Sequence, residues 1–371
     1  MCQSISRIVS CTITVNLIAL TYMTNIFLLF NNLNKKLAET YAEENLIGER
    51  VVFLNLRKNI ALSKIFPDFF IDDEKIKFGR FNNIFLAILS IFYIKVFTLK
   101  KLDSFIMNLS QGDDFKIYVP HIYSPLIRAI TGHHKCVGVL VVEEGDAAYM
   151  LDRTYDPTEL DKIFSNRWVR LTLEVLKLIK RMDNRGFFPK ECQVEGAICL
   201  SDDAFPFYEH KNVVSPNKVF KNDRSLAFKY GDLVSIILID PLVQLGRITY
   251  FGYLDALRKF LASKSNVVGD GVVLLSFHPS VRCELDFKKA VENIFTSEGI
   301  TYELYCGDVE SLMVSVDGCR VFGLVSSSMR YAKACGCEIY TWLNFLGKDE
   351  LNNNANLIEY HNGFKTKCLS D

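Results

Sequence analysis

Short apolar runs alternate with longer segments of helical composition along the whole chain. Continuous apolar runs bounded by turn residues are typical of parallel strands that are buried on both faces. They predict strands at 26–30, 51–56, 116–119, 137–142, 233–240, 271–277, 300–305, 320–325 and 338–342. Helices are predicted at 35–49, 81–100, 124–130, 158–185, 253–263, 284–298 and 329–335. This alternation indicates an α/β fold with parallel sheets and helices on both faces.

The alternating series is interrupted once, near the middle of the chain. Gly186 and Pro189 end the long helical segment, and a second series of strands and helices follows. We therefore expect two Rossmann-like domains, 1–187 and 188–371, facing each other across a cleft. In such sheets, ligands bind beyond the carboxyl ends of the strands.

The N-terminal segment permits two interpretations. Residues 8–34 contain no charged side chain and are long enough to span a membrane. However, the run includes hydroxyl and amide residues such as Thr12, Thr14 and Asn16, and it lacks a small-residue cleavage site. A soluble βαβ arrangement, with a strand at 7–12, a helix at 15–25 and a strand at 26–30, is favoured over a membrane anchor.

Composition excludes some classes of partner. The 371 residues contain 43 basic and 43 acidic side chains, so net charge offers no attraction for nucleic acid. The 11 cysteines are irregularly spaced, and the Cys335-x-Cys337 pair has no second pair at zinc-site spacing. We expect reduced thiols, no metal and a cytoplasmic location. The basic stretch 177–185 suits either a solvated helix face or anionic lipid at the inner membrane.

An acidic pair follows the strongest strand of the first half. Glu143, Glu144 and Gly145 come directly after the run 137–142. Two adjacent carboxylates repel each other, which raises the pKa of one and suits it to act as a general base. The alternative is a solvated acidic turn in which the glycine adopts a positive φ.

Two further constellations follow strands of the second half. His278 and Pro279 come directly after the strand at 271–277, where an imidazole can act as a general acid. Ser326, Ser327 and Ser328 lie between a strand and a helix, where hydroxyl and backbone N–H groups can bind a phosphate. A hydrogen-bonded loop histidine and an ordinary serine cap are the alternatives. Of the remaining histidines, His133 and His134 lie in a polar loop, and no partner is evident in the sequence for His121, His210 and His361.

At these residues the chain resembles the bacterial sialyltransferases of the GT-B fold, including the lipooligosaccharide sialyltransferases and polysialyltransferases. Those families carry a (D/E)-(D/E)-G motif, an H-P motif and a Ser/Thr pair, in that order. The segment 8–14 (IVSCTIT) also resembles the first strand and loop of the lipooligosaccharide enzymes. One departure is Ser280 after the H-P pair, where the families often have a basic residue nearby; here Arg282 follows two positions later.

The resemblance implies inverting, metal-independent transfer of sialic acid from CMP-sialic acid to a glycan, expected to be galactose-terminated. It assigns the base to Glu143 or Glu144, with Glu143 preferred, and the acid to His278. The residues implied to bind or border the substrates are Gly145, Asp240, Pro279, Glu310, Ser326, Ser327 and Ser328. Glu310 is the candidate for the ribose and Asp240 for the nucleotide. The inner membrane surface and a second copy of the chain are further candidate partners.

Two other functions fit the same residues. A CMP-Kdo transferase, or an enzyme using another nucleotide sugar, could present the same phosphate site. A noncatalytic carbohydrate-binding protein anchored by residues 8–34 would belong to a different class.

Overall fold

The computed structural model describes residues 23–55, 99–122, 125–149, 194–231, 233–268, 271–282, 284–353 and 367–368. The chain divides into two compact units, Met1–Val214 and Ser215–Asp371. The division falls later than the predicted 187/188 boundary, because two strands beyond residue 188 belong to the first sheet. The predicted helix at 158–185 and the basic stretch within it lie outside the described residues.

The first unit is built on a parallel sheet. Its described strands are β1 (Thr24–Leu29), β2 (Arg50–Asn55), β3 (Phe115–Val119), β4 (Cys136–Val142), β5 (Gly196–Cys199) and β6 (Lys211–Val213). They pair in the order β2-β1-β3-β4-β5-β6, with every described pairing parallel. The order reverses between β1 and β3, so the chain leaves these two neighbouring strands in opposite directions across the sheet. Such a switch point opens a crevice at the carboxyl edge.

Three helices and one short 3₁₀ turn accompany this sheet among the described residues. They are α1 (Asn32–Asn45), α2 (Lys100–Ser110), α3 (Pro125–Thr131) and the 3₁₀ turn Asp146–Tyr149. Helix α1 is capped at its N-terminus by Asn31, whose Oδ1 accepts a hydrogen bond from the Asn34 N–H at 2.8 Å. A side-chain cap of this kind stabilises a helix start. It also fixes Asn31 at the end of β1, close to the switch point.

The second unit has a parallel sheet with the Rossmann strand order. Its described strands are β7 (Val234–Ile239), β8 (Val272–Phe277), β9 (Glu303–Leu304), β10 (Arg320–Gly323), β11 (Glu338–Thr341) and β12 (Lys367–Cys368). They pair in the order β12-β11-β10-β7-β8-β9. Counted from β7, this is the 3-2-1-4-5-6 order of dinucleotide-binding folds. The switch point lies between β7 and β10, which pair directly.

The helices of the second unit cover both faces of its sheet. They are α4 (Pro216–Val219), α5 (Arg224–Tyr230), α6 (Tyr250–Val268), α7 (Leu285–Ser297), α8 (Val309–Ser315), α9 (Ser327–Ala334) and α10 (Lys348–Asn353), with a 3₁₀ turn at Leu343–Phe345. Side chains of β7 alternate between two buried hydrophobic clusters. Ile237 belongs to the cluster that includes residues of α6 and α7, and Ile236 belongs to the cluster that includes residues of α8 and α9. This alternation explains why the strand is apolar throughout.

The predicted fold class, α/β with two Rossmann-like units, is confirmed by these sheets. Most predicted strands and helices are present within a few residues of their expected ends. Residues 1–22, which carry the predicted first strand and most of the uncharged run, lie outside the described part. Within the described ranges, no helix combines the length and the apolar character needed to cross a membrane.

Candidate active site

Glu143 lies at the carboxyl end of β4 and points into the first unit. It is completely buried. The Tyr149 hydroxyl donates to Oε1 at 2.7 Å, and the Leu200 N–H donates to Oε2 at 2.7 Å. A buried carboxylate needs such partners because transfer from water is otherwise costly. Glu143 therefore joins the end of β4 to the 3₁₀ turn and to the segment after β5.

Glu144 is more accessible than Glu143. Its side chain is 22% exposed, and its Oε2 lies 3.7 Å from Nε2 of His121. The Asn31 amide donates to the backbone oxygen of Glu144 at 2.7 Å. Gly145 follows with φ 152°, a conformation that favours glycine. The acidic pair thus separates into one buried, fully bonded carboxylate and one partly exposed carboxylate.

His121 follows Pro120 at the carboxyl end of β3 and was not identified as a site residue from the sequence. Its side chain is 13% exposed, and the Phe30 ring lies 5.2 Å from the imidazole, centroid to centroid. Burial lowers the pKa of His121 to about 4, so the imidazole is neutral at neutral pH. Its position two residues after the predicted strand at 116–119 was the available signal, because placement at a strand end had also selected His278.

His278 lies at the carboxyl end of β8, where its backbone N–H donates to the Ile239 carbonyl at 3.0 Å. Its Nδ1 is 2.7 Å from the Ser280 hydroxyl and accepts from the Ser280 N–H at 3.3 Å. Because a backbone N–H can only donate, Nδ1 is the acceptor and Nε2 carries the proton of the neutral ring. Burial lowers the pKa of His278, and the positive charge of Arg282 lowers it further.

Ser280, the residue that departs from the pattern of the resembling families, thus orients the His278 imidazole. The Val281 N–H donates to the His278 carbonyl at 2.8 Å, which closes a tight turn through the exposed Pro279. The Arg282 guanidinium donates through Nε to the Phe277 carbonyl at 3.1 Å. The backbone of the H-P motif is therefore fixed on both sides.

Ser326, Ser327 and Ser328, which we call the serine row, form the start of α9. Ser326 is the N-cap, with its hydroxyl accepting from the Ser328 N–H at 3.3 Å. Ser327 is the first helical residue. Backbone N–H groups and the positive end of the helix dipole meet here, which suits an anion.

Glu310 contacts this serine row. The Ser328 hydroxyl donates to Glu310 Oε1 at 2.6 Å. Burial raises the pKa of Glu310, and a hydrogen bond with Asp308 also raises it. The structure therefore brings together the residues predicted for the ribose and for the phosphate, with the carboxyl group shifted towards its neutral form.

Asp240, which was predicted to contact the nucleotide, bridges two strands of the second sheet. It lies just beyond β7, is 2% exposed, and its Oδ2 accepts from the N–H groups of Leu324 and Val325, both at 3.0 Å. These contacts span the switch point between β7 and β10. Asp240 thus holds the segment that leads into the serine row.

In the second unit, Asp240, His278 and Ser326 follow β7, β8 and β10, so they share one edge of the parallel sheet. In the first unit, Glu143, Glu144 and His121 share the corresponding edge. Within the described ranges, no group of three or more His, Cys, Asp or Glu side chains is arranged to hold a metal ion. Cys335 and Cys337 are free thiols.

The chain matches no protein-family model and no curated protein. Among solved structures, a UDP-GlcNAc 2-epimerase from Neisseria meningitidis bound to UDP-GlcNAc aligns with a TM-score of 0.42 and 10% identity, over 92% of this chain and 91% of its own. The UDP-N-acetylglucosamine 2-epimerase from Rickettsia bellii gives 0.42 and 12%, over 93% and 90%. WaaG, a glycosyltransferase involved in lipopolysaccharide biosynthesis, gives 0.35 and 9%, over 86% and 80%. These scores are low, so the fold assignment comes from the strand order of the two sheets.

Proposed function

We propose that this protein is an inverting glycosyltransferase that transfers sialic acid from CMP-sialic acid to a hydroxyl of a galactose-terminated glycan. The observation that supports it most is the carboxyl edge of the second sheet. There, an imidazole with a protonated Nε2 follows β8, and a serine-capped helix start follows β10, on the two sides of β7. A nucleotide phosphate is the ligand that this Rossmann edge suits best.

In the proposed reaction, the acceptor hydroxyl attacks the anomeric carbon of sialic acid. The bond between that carbon and the CMP phosphate oxygen breaks, and CMP leaves with the electron pair. His278 donates a hydrogen bond from Nε2 to the departing phosphate. The backbone N–H group and the hydroxyl of Ser327 stabilise its charge, as preorganised donors do in other transfer reactions. The Ser328 hydroxyl joins them by turning away from Glu310 Oε1, to which it otherwise donates. No metal takes part.

Glu144 is the proposed base that removes the proton of the acceptor hydroxyl. The reason is its exposure, because a base must reach the proton that it removes. Both carboxylate oxygens of Glu143 already accept hydrogen bonds inside the first unit. We therefore shift the assignment from Glu143, which the family resemblance favoured, to its neighbour. The proposed setting is the cytoplasm, at or near the inner membrane.

Incubation with CMP-sialic acid and a panel of galactosides, read by mass spectrometry, tests this function. We expect a product heavier by one sialic acid residue, together with free CMP, and loss of both in a His278→Ala variant whose melting temperature is unchanged. Transfer from CMP-Kdo but not from CMP-sialic acid would show that the sugar donor is CMP-Kdo. Glycan binding without release of CMP from either donor would favour the noncatalytic alternative.

A further inference from the structure

Three strand ends of the first unit meet at its switch point. Asn31 follows β1, His121 follows β3 and Glu144 follows β4, and these strands are neighbours in the sheet. The three residues are far apart in sequence, so only the fold brings them together. Asn31 contacts the backbone oxygen of Glu144, and His121 lies near the Glu144 carboxylate.

Asn31 fixes the backbone of Glu144. Its Oδ1 accepts from the Asn34 N–H at 2.8 Å and caps α1, while its Nδ2 donates to the Glu144 oxygen at 2.7 Å. Since the cap holds the amide in one orientation, the donated hydrogen bond fixes the position of Glu144 relative to β1. The carboxylate itself is left for a different residue to orient.

His121 is the residue that approaches the carboxylate. Its Nε2 lies 3.7 Å from Glu144 Oε2, and the Phe30 ring lies beside the imidazole. A carboxylate can only accept, so the favourable tautomer carries the proton on Nε2. Closing this distance by less than 1 Å gives a hydrogen bond that sets the plane of the carboxylate. The largely buried, neutral ring provides this donor without adding a positive charge.

We propose that His121 is a positioning residue that orients the Glu144 carboxylate for proton abstraction from the acceptor. The inference rests on the proposed function, in which Glu144 is the base. It adds a second histidine to the reaction, one that acts on the base and not on the leaving group. The substrate contacts of Glu144 are then set by a residue outside the acidic motif.

The test uses the full chain with CMP-sialic acid and a galactoside. A His121→Ala variant should lower kcat roughly 10- to 100-fold, the cost of a misplaced catalytic group, with little change in KM for CMP-sialic acid. A His121→Gln variant should recover much of kcat, because its amide nitrogen can replace the Nε2 donor. The exposed His134→Ala is the matched control and should behave as the wild type. Equal kcat in all four proteins would overturn the inference while leaving the proposed function in place.

A second readout does not depend on activity. In protein labelled with ¹³C at the glutamate side-chain carboxyl carbons, the Glu144 signal is identified by its loss in Glu144→Gln. Removing a donor raises the pKa of a carboxyl group. The pKa of Glu144 should therefore be higher in His121→Ala than in the wild type and should return towards the wild-type value in His121→Gln. An unchanged pKa would contradict the contact even if no transfer reaction is found, so the two failures can be distinguished.

Discussion

At the scale of single residues, the adjacent carboxylates Glu143 and Glu144 occupy different environments because successive side chains at the end of a strand point in opposite directions. Glu143 enters the interior, where a tyrosine hydroxyl and a backbone N–H satisfy it. Glu144 faces the carboxyl edge beside His121. Of two adjacent glutamates, one therefore contributes to stability and the other, in our proposal, to the chemistry.

Amide substitutions separate these roles. Glu144→Gln should lower kcat by about 10²- to 10⁴-fold with an unchanged melting temperature, because it removes a general base from the surface of the site. Glu143→Gln should cost about 1–3 kcal/mol of stability, because an amide cannot accept both hydrogen bonds. Enzyme assays and denaturant titrations measure both. If Glu143→Gln were stable but inactive, the base would be Glu143.

The buried imidazole of His121 gives the folded protein a dependence on pH. Its pKa falls from 6.5 to about 4 on folding, so the unfolded chain binds the proton more readily. Above about pH 6.5, protonation of His121 takes no free energy of unfolding from the protein. As pH falls towards 4, the free energy of unfolding decreases by at most about 3 kcal/mol on account of this group. Urea titrations between pH 7 and pH 4 should show a smaller decrease in His121→Asn than in the wild type. An equal decrease in both proteins would contradict burial of His121 as the cause. As a control, substitution of the exposed His134 (His134→Asn) should give the same pH dependence as the wild type.

At the scale of elements, a buried carboxylate links neighbouring strands at the carboxyl edge of each sheet. Glu143 accepts from Leu200 beyond β5, and Asp240 accepts from Leu324 and Val325 beyond β10. Strand exits lack ladder partners, so their N–H groups need other acceptors. In the second unit, the segment held in this way leads directly to Ser326.

Removing the Asp240 carboxylate should therefore affect the donor site indirectly. In Asp240→Ala, the N–H groups of Leu324 and Val325 lose their acceptor, at a cost of about 1–3 kcal/mol each where they stay unsatisfied. We expect a lower melting temperature and a higher KM for CMP-sialic acid. Asp240→Asn keeps one acceptor oxygen and should be milder, and the exposed Asp255→Ala should have no effect. A raised KM with unchanged stability in Asp240→Ala would point to a direct contact with the nucleotide.

The sequence predicted elements better than it predicted residue roles. The strand at 233–240 was visible because both of its faces are buried, and β7 is found there. Helix α2 was missed because its apolar positions, Leu102 and Ile106, follow a longer apolar run that obscured its start. The inward turn of Glu143 depends on Tyr149 and Leu200, and Leu200 is far away in sequence. The partnership of His121 with Glu144 depends on strand order, which no local pattern contains.

At the scale of the whole molecule, the proposal assigns donor binding to the second unit alone. The phosphate contacts that it invokes follow β8 and β10, and both strands belong to Ser215–Asp371. A ligand stabilises only the structure that binds it, by about 2.7 kcal/mol at a free concentration 100 times its Kd. Since multidomain proteins need not unfold in one step, the stabilisation should be local.

Hydrogen–deuterium exchange with and without CMP tests this localisation. CMP should slow exchange in peptides that contain the turn after His278 and the start of α9, because their backbone N–H groups lie at the proposed phosphate site. Peptides from β1 and α1 in the first unit should exchange at the same rate in both conditions. UDP, which presents a different base and an additional phosphate, should have a weaker effect, and Ser328→Ala should reduce the protection by CMP. Equal protection by CMP and UDP would remove the support for a cytidine donor. Protection confined to the first unit would place the nucleotide on the other sheet and contradict the assignment of His278 and the serine row.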